Sequence, residues 1–287
     1  MLFDLHSHTI VSDGILAPEP LVAAAARAGI DVFAITDHDT VGGVATALAA
    51  AAAQGVQLVP GIEISAHHGE RELHLLAYFA PDQLGAWERF QAQRREARWE
   101  RFRQILARLD ELGASLDEAA LTAERQAEGR VPGRPHVARA LVEAGHVSDM
   151  EEAFRRYLGR EAPAYVATRG PSAAEAIAFV REVPGVSVLA HPVYGDLDEV
   201  LEELTELGLD GVEAFHFSHD EDTAAHFSRR AGELGLLMTG GSDYHGDPED
   251  PAGERAGERL GRVALPPAAA EAFCSALADR TGWAPKT

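Results

Sequence analysis

Residues 3–14, "FDLHSHTIVSDG", set two histidines one residue apart with an aspartate close behind them. Side chains of an extended segment alternate between faces, so Asp4, His6 and His8 share one face and Leu5 and Ser7 take the other. An isolated His-x-His reads equally well as the polar edge of a strand. What decides between ligand and edge is whether other strands place similar chemistry at a similar point.

Six more apolar runs lie outward from this one: "DVFAITDHD" (31–39), "VQLVPGIEIS" (56–65), "ELHLLAYFA" (72–80), "VSVLAHPVY" (186–194), "DGVEAFHFS" (210–218) and "LLMTGGSDYH" (236–245). Helical patterns alternate with them, and those before the first two runs are rich in Ala and Leu and end in Gly, as a helix stop does. Such βα repetition predicts a mostly parallel sheet with helices packed outside. No glycine-rich dinucleotide fingerprint follows any strand, which favours a barrel over an open doubly wound sheet.

The rhythm breaks between residues 84 and 162. Phe102, Ile105, Leu106, Leu109 and Leu112 fall on one helical face with no strand signal nearby, which predicts a helical insertion over 84–162 in a barrel made of 1–83 and 163–287. The insertion carries Arg94, Arg98, Arg101 and Arg108 at helical spacing, with few glutamates four residues away. They read either as a solvated face or as a wall facing phosphates.

The chain has 287 residues, 46% of them hydrophobic, enough for a sizeable core. With 25 basic and 46 acidic residues its formal charge is −21, which argues against a broad grip on nucleic acid or anionic membrane and leaves room only for a local basic groove. The single cysteine, Cys274, has no partner for an internal disulfide, and no leader pattern precedes the first run, so the expected setting is cytoplasmic. The most apolar stretch, "VATALAAAAA" (44–53), is too short to span a bilayer. No membrane role and no obligate protein partner is indicated.

At the carboxyl ends of the runs stand His6 and His8, then Asp37, His38 and Asp39, then Glu63, His74, His191, and finally Asp243 and His245. The run at 210–218 carries His216 and His219. Residues repeated at one end of successive parallel strands converge in space. Imidazoles and carboxylates without thiolate suit manganese, zinc or iron, and carboxylates can bridge two ions. The set is too large for one ion, so two or three are expected.

In order along the chain, "DLHSHTIVSDG", "ITDHDT", "PGIEIS", "ELHLLAY", "LAHP" and "GSDYH" resemble the successive motifs of the PHP (polymerase and histidinol phosphatase) superfamily. The resemblance implies a distorted (β/α)7 TIM-like barrel holding three divalent ions, manganese foremost, with zinc or iron as alternatives. By position it implies that His6, His8, Glu63 and Asp243 hold one ion. Glu63 would bridge to a second held by His74 and His191, and Asp13, His38 and His245 would hold the third. Such ions neutralise charge on phosphoryl oxygens and activate water. Asp13, His38 and Glu63 would thus act in catalysis through the ions they hold, and Asp37 or Asp39 would orient a histidine from behind. The proton donor to the leaving alcohol would be His219 or a water on a metal.

Within the insertion and after it, "GRPHVARALVEAG" (133–145) and "YVATRGPSAAEAI" (165–177) are similar to segments of small bacterial PHP phosphoesterases that act on nucleoside 3′,5′-bisphosphates, some of which also trim short RNA from its 5′ end. Arg134 and His136 stand beside one helix start and Arg169 before another, where guanidinium forks and helix N-termini suit a phosphate. These three and His219 are the expected substrate contacts, with His136 open to a purely structural reading as well. The expected partner is therefore a small phosphate ester, a nucleotide, or a short RNA. The rivals are a histidinol-phosphate phosphatase, a non-catalytic nucleic-acid-binding module and an amidohydrolase. The last usually wants a bridging lysine, and the only lysine is Lys286, near the C-terminus.

Overall fold

The computed structural model describes all residues except 128–131, 168–169, 196 and 286–287, and all remaining side chains except those of 93–95, 97 and 123–127. Arg169 and Lys286 therefore lie outside the described residues, as does the side chain of Arg94. Two compact units make up the chain, Met1–Gln91 with Pro171–Thr287, and Ala92–Gly170.

The first unit is a seven-stranded barrel. Its elements begin with β1 (Phe3–Asp4), α1 (Pro18–Arg27), β2 (Val32–Ile35), α2 (Val44–Gln54), β3 (Gln57–His68) and β4 (Arg71–Tyr78). Neighbours in the sheet follow chain order from the first strand to the seventh. The Ala-rich α2 ends where Gly55 turns left-handed (φ 74°), a conformation that costs glycine nothing and returns the chain to the sheet. β1 pairs β2 and β2 pairs β3 in parallel, but β4 runs antiparallel to β3. Two residues suffice for that reversal, Gly69 and Glu70.

The helix α3 (Leu84–Glu111) follows, and its first two turns pack with the barrel, where the Trp87 ring stacks on Phe79 at 5.0 Å. Its later turns belong to the second unit with α4 (Glu118–Ala127), α5 (Arg134–Glu143) and the short α6 (Met150–Ala153). There Phe102, Ile105 and Leu109 are buried with Val137, Leu141 and Leu158. Leu112 does not join them: it lies past the end of α3 and is 42% exposed.

The barrel resumes with α7 (Ala173–Glu182), β5 (Val186–Leu189), α8 (Leu201–Glu206), β6 (Gly211–His216), α9 (Glu221–Leu234), β7 (Leu237–Gly241) and α10 (Pro267–Thr281). Ser172 caps α7 by accepting from the Glu175 N–H, and Glu175 answers with a bond from the Ser172 N–H, a capping box. β5 is antiparallel to β4, and β6 and β7 are parallel to their predecessors. The first and last strands meet through the Leu5 N–H on Gly240 O at 3.1 Å and a parallel bridge from Ser7 to Tyr244. Inside, Leu5, Val32, Leu76, Val188 and Phe273 form a buried plug. Tyr78 crosses it, edge-on to Phe273 and donating its hydroxyl proton to Leu5 O at 2.9 Å. A barrel so filled has no pore, and its chemistry sits at one mouth.

Candidate metal centre

Glu63 stands at the middle of the polar mouth. Its Oε2 lies 3.3 Å from His6 Nε2, 3.2 Å from His8 Nε2 and 3.2 Å from His38 Nδ1. Its Oε1 lies 2.8 Å from His74 Nδ1 and 2.9 Å from His191 Nε2. One buried carboxylate thus faces five imidazoles from four parts of the chain.

Two further carboxylates complete the ring. Asp243 Oδ1 approaches His6 Nε2 at 3.3 Å and His8 Nε2 at 3.1 Å, while its Oδ2 approaches His216 Nε2 at 3.4 Å. Asp13 Oδ1 is 3.3 Å from His245 Nε2 and its Oδ2 is 3.7 Å from His38 Nε2. All nine residues expected as ligands from the motifs therefore meet in one cluster, and His216 joins them. His74 is not at a carboxyl end. It is the fourth residue of β4, which runs antiparallel, so its leading half reaches the mouth that the other strands reach with their trailing ends.

Local backbone serves the same convergence. The non-glycine residues with positive φ among those described are Asp39 (51°), His191 (28°) and Asp243 (48°), all at this mouth. Such conformations are strained and persist where the surroundings hold them, commonly at functional sites. Gly241 supplies room: a Cβ there would meet His6 Cβ at 2.3 Å, so only glycine lets the end of β7 lie this close to His6.

Supporting contacts fix the rings. His6 Nδ1 lies 3.0 Å from Glu213 Oε1, and the His191 backbone N–H donates to Glu213 Oε2 at 2.8 Å. A proton held at Nδ1 by Glu213 leaves the His6 Nε2 lone pair facing the centre. Sequence reasoning passed over Glu213, although a charged residue inside an otherwise buried strand is a signal of its own. It assigned the orienting task to Asp37 or Asp39 instead. Asp37 accepts from the Thr9 N–H and from the Thr9 and Ser12 hydroxyls, each at 2.7 Å, which pins the loop that carries Asp13. Asp39 accepts from the Ser65 N–H at 2.7 Å. Both position backbone.

Charge in this cluster is balanced by shared protons. Burial pulls His8 down, but Asp243, Glu63 and Asp13 outweigh it and hold the ring up at about 10. Burial likewise opposes ionisation of Glu63, yet His38, His74 and His6 keep it well below the usual carboxylate range. His38 goes the other way, driven by burial down to about 4.

The donor set fits divalent ions. His6 Nε2, His8 Nε2, His216 Nε2 and Glu63 Oε2 are buried with no partner in hydrogen-bond geometry, although oxygens or nitrogens of the cluster lie little more than 3 Å away. Their lone pairs share common points rather than addressing one another. Ligands placed about 2.1 Å from an ion at octahedral or tetrahedral angles stand roughly 3.0–3.4 Å apart, which matches these separations. Four overlapping groups of donors arise: His8, Asp13, His38 and His245; His6, His216 and Asp243; His6, His8 and Glu63; and His38, Glu63 and His74.

The PHP domain family model matches residues 4–158, more than half of the chain. The chain belongs to the PHP domain family. It is 34% identical over 253 residues to a 3′,5′-nucleoside bisphosphate phosphatase of Chromobacterium violaceum, covering 84% of this chain and 86% of that one. It is 32% identical over 252 residues to the 5′-3′ exoribonuclease Rnm of Escherichia coli, covering 85% of each. A structure from Bifidobacterium adolescentis assigned as a metal-dependent phosphoesterase superposes with a TM-score of 0.81 at 30% identity, covering 97% of this chain and 96% of that one. This PHP protein is accordingly an enzyme, a hydrolase of phosphate esters built around divalent-metal ligands, and its fold is the distorted barrel expected from the motifs. The reading as a non-catalytic nucleic-acid-binding module falls away. Among the described residues no helix is long and apolar enough to cross a membrane.

The expected substrate contacts fare differently. His136 is buried and its Nδ1 accepts from the Gly133 N–H at 3.0 Å, which caps α5. The Arg134 guanidinium lies over the Tyr165 ring at 5.5 Å. Arg101 donates from Nε to Val166 O at 2.9 Å, a bond inside its own unit, so it is not simply part of a solvated stripe. His219 lies in the barrel unit with its Nδ1 3.0 Å from Ala214 O and its Nε2 buried without a hydrogen-bond partner. Burial lowers its pKa. His216 and His219 both line a cleft of about 440 Å³ that extends to Arg259 and Arg262.

Proposed function

We propose that this enzyme removes the 3′-phosphate of nucleoside 3′,5′-bisphosphates, leaving the 5′-monophosphate, with three divalent ions, manganese by preference, held by His6, His8, Asp13, His38, Glu63, His74, His191, Asp243 and His245. The observation that carries the reading is the convergence of all nine side chains in one cluster with Glu63 at its middle, in a chain that aligns with a relative named 3′,5′-nucleoside bisphosphate phosphatase over most of both lengths. Bound ions would supply Lewis acidity toward the phosphoryl oxygens and activation of water for attack at phosphorus.

The protein's own residues do the rest. Glu213 keeps His6 in one tautomer, and Asp37 holds the turn that presents Asp13. Hydrolysis adds a water oxygen to phosphorus, breaks the bond from phosphorus to the ribose 3′ oxygen, and requires a proton on that leaving oxygen. His219 donates its Nδ1 proton to Ala214 O, so its neutral ring presents the Nε2 lone pair, and it can yield a proton there only after taking one up. Asp13, His38 and Glu63 act by holding ions in place.

A second activity, stepwise release of 5′ nucleotides from short 5′-phosphorylated RNA, is supported by the 32% identity to an exoribonuclease. A manganese-supplemented panel of adenosine 3′,5′-bisphosphate, short 5′-phosphorylated RNA and histidinol phosphate tests both. Phosphate release from the bisphosphate with adenosine 5′-monophosphate as co-product is expected. Preference for histidinol phosphate overturns the reading.

A further inference from the structure

Asp4 falls on the same face of the first run as His6 and His8, yet among the described residues no donor group at the mouth includes it. Its side chain is buried, and each of its oxygens accepts from backbone far away in the chain. Oδ1 accepts from the Ser242 N–H and Oδ2 from the Gly261 N–H, both at 2.9 Å, across 238 and 257 residues. A buried carboxylate is costly to place. Closure of the barrel does not require one, since the first and last strands already meet through the Leu5 N–H on Gly240 O.

Ser242 immediately precedes Asp243, whose φ of 48° is a strained conformation that persists only where its surroundings hold it. Two ties bracket that residue. Before it the Ser242 N–H is held by Asp4, and after it Tyr244 O accepts from the His8 N–H at 2.9 Å. Both anchors belong to the first run, so Asp243 is fixed from the same segment that bears His6 and His8. Its Oδ1 is thereby presented to their Nε2 atoms at 3.3 and 3.1 Å. On the other side of the Asp4 carboxylate, Gly261 lies against the start of the chain, where a Cβ would meet Leu2 Cδ2 at 2.9 Å.

Chemistry explains why the residue is an aspartate. Two N–H donors arrive from two segments, and both oxygens of a carboxylate accept. An asparagine has the same shape but turns an NH2 group toward one of the donors, which leaves two donors face to face.

We propose that Asp4 is a positioning residue of the metal centre: through the Ser242 amide it holds Asp243 in its strained conformation, so that this carboxylate is set before an ion arrives. The inference rests on the reading of the cluster as a centre for divalent ions and adds to it a residue outside the donor set. A ligand held in place beforehand loses less freedom on binding, which is how such a contact raises affinity.

The test measures the rise in melting temperature that manganese gives to metal-stripped protein, for the parent, Asp4→Asn and Asp210→Asn. Asp210 is the control. Its Oδ2 accepts from the Ser187 N–H at 2.9 Å just before β6, at the end of that strand away from His216, so it also stitches strands but belongs to no donor group. An ion that binds only the folded chain raises its melting temperature according to its affinity. A carboxylate that serves stability alone lowers the melting temperature equally with and without manganese, as Asp210→Asn should. Asp4→Asn should in addition bind manganese about tenfold more weakly by calorimetry. With manganese at about 100 times the parent's dissociation constant, that loss roughly halves the manganese-induced rise. If Asp4→Asn does not fold, Asp4→Ser, which leaves space for a water between the two N–H groups, carries the same comparison. A full parental rise in the Asp4 variant, or failure of both Asp4 variants to fold, overturns the positioning role. A parent protein with no manganese-induced rise overturns the reading of the cluster itself.

Discussion

His6 Nδ1 and Glu213 Oε1 stand 3.0 Å apart, both side chains fully buried, with Glu213 also receiving the backbone N–H of His191. One carboxylate thus orients the first histidine of the chain and fixes the strand end that bears another. Partners of this kind typically matter by about 10- to 100-fold in metal affinity or activity. Glu213→Gln should lower bound metal and turnover by that order while keeping the far-ultraviolet circular dichroism of the parent. Full metal content with full turnover would remove Glu213 from this role.

Gly241→Ala drives a methyl group into His6, whose Cβ would be 2.3 Å away. Strand or ring has to move, at a cost of about 1–3 kcal/mol, and metal content should fall with stability. Gly232, inside α9, is the control, since an added Cβ there meets nothing within 4 Å. Gly232→Ala should be neutral or stabilising by up to about 1 kcal/mol. Equal melting shifts for the two would contradict the packing.

Chelation should abolish turnover, and manganese should restore it. Elemental analysis after reconstitution should find between two and three ions per chain, given the overlapping donor groups. Asp243→Asn should reduce occupancy and rate together, because a neutral amide is a poorer ligand for a hard cation. One ion or none would contradict the cluster reading.

Without metal, His8 holds its proton up to about pH 10 because the Asp243 and Glu63 carboxylates outweigh its burial. At pH 7 an ion entering this site has to displace that proton. Raised pKa means that the proton is bound at neutral pH, so metal binding releases it and apparent affinity rises with pH toward 10. Calorimetric titration in buffers of different ionisation enthalpy should give different apparent heats. Identical heats would contradict this linkage.

Arg101 and Arg98 carry separate tests of the arginine pattern on α3. Arg101→Gln loses the bond to Val166 O, at a cost of about 1–3 kcal/mol, and should lower the melting temperature with metal content unchanged. If RNA passes this helix, Arg98→Gln should reduce the salt slope of RNA turnover by about one unit. An unchanged slope would remove Arg98 from an RNA path.

Much of the candidate centre was legible because metal donors are chemically conspicuous and because strand ends come round at intervals along the chain. His6, His8, Glu63, His74, His191, Asp243 and His245 each sit in a short motif whose residue types have few other uses in such a pattern. Glu213 and His216 were less visible. A glutamate within "DGVEAFHFS" has no meaning until a partner 207 residues away, His6, is brought beside it. The direction of β4 was also hidden, since an antiparallel strand has the same composition as a parallel one. Its reversal is what lets His74, near the start of its strand, meet residues from the ends of others.

By itself the sequence determined the alternation of strands and helices, the identity of the metal donors and the class of chemistry, because periodicity and side-chain type are local properties. Only the tertiary structure decided which donors share which point in space, that Asp37 holds a loop while Glu213 holds a ring, that His136 caps a helix, and that Arg259 and Arg262 border the same cleft as His216. Those are long-range facts, and they depend on barrel closure, where Gly241 lets the last strand lie against the first.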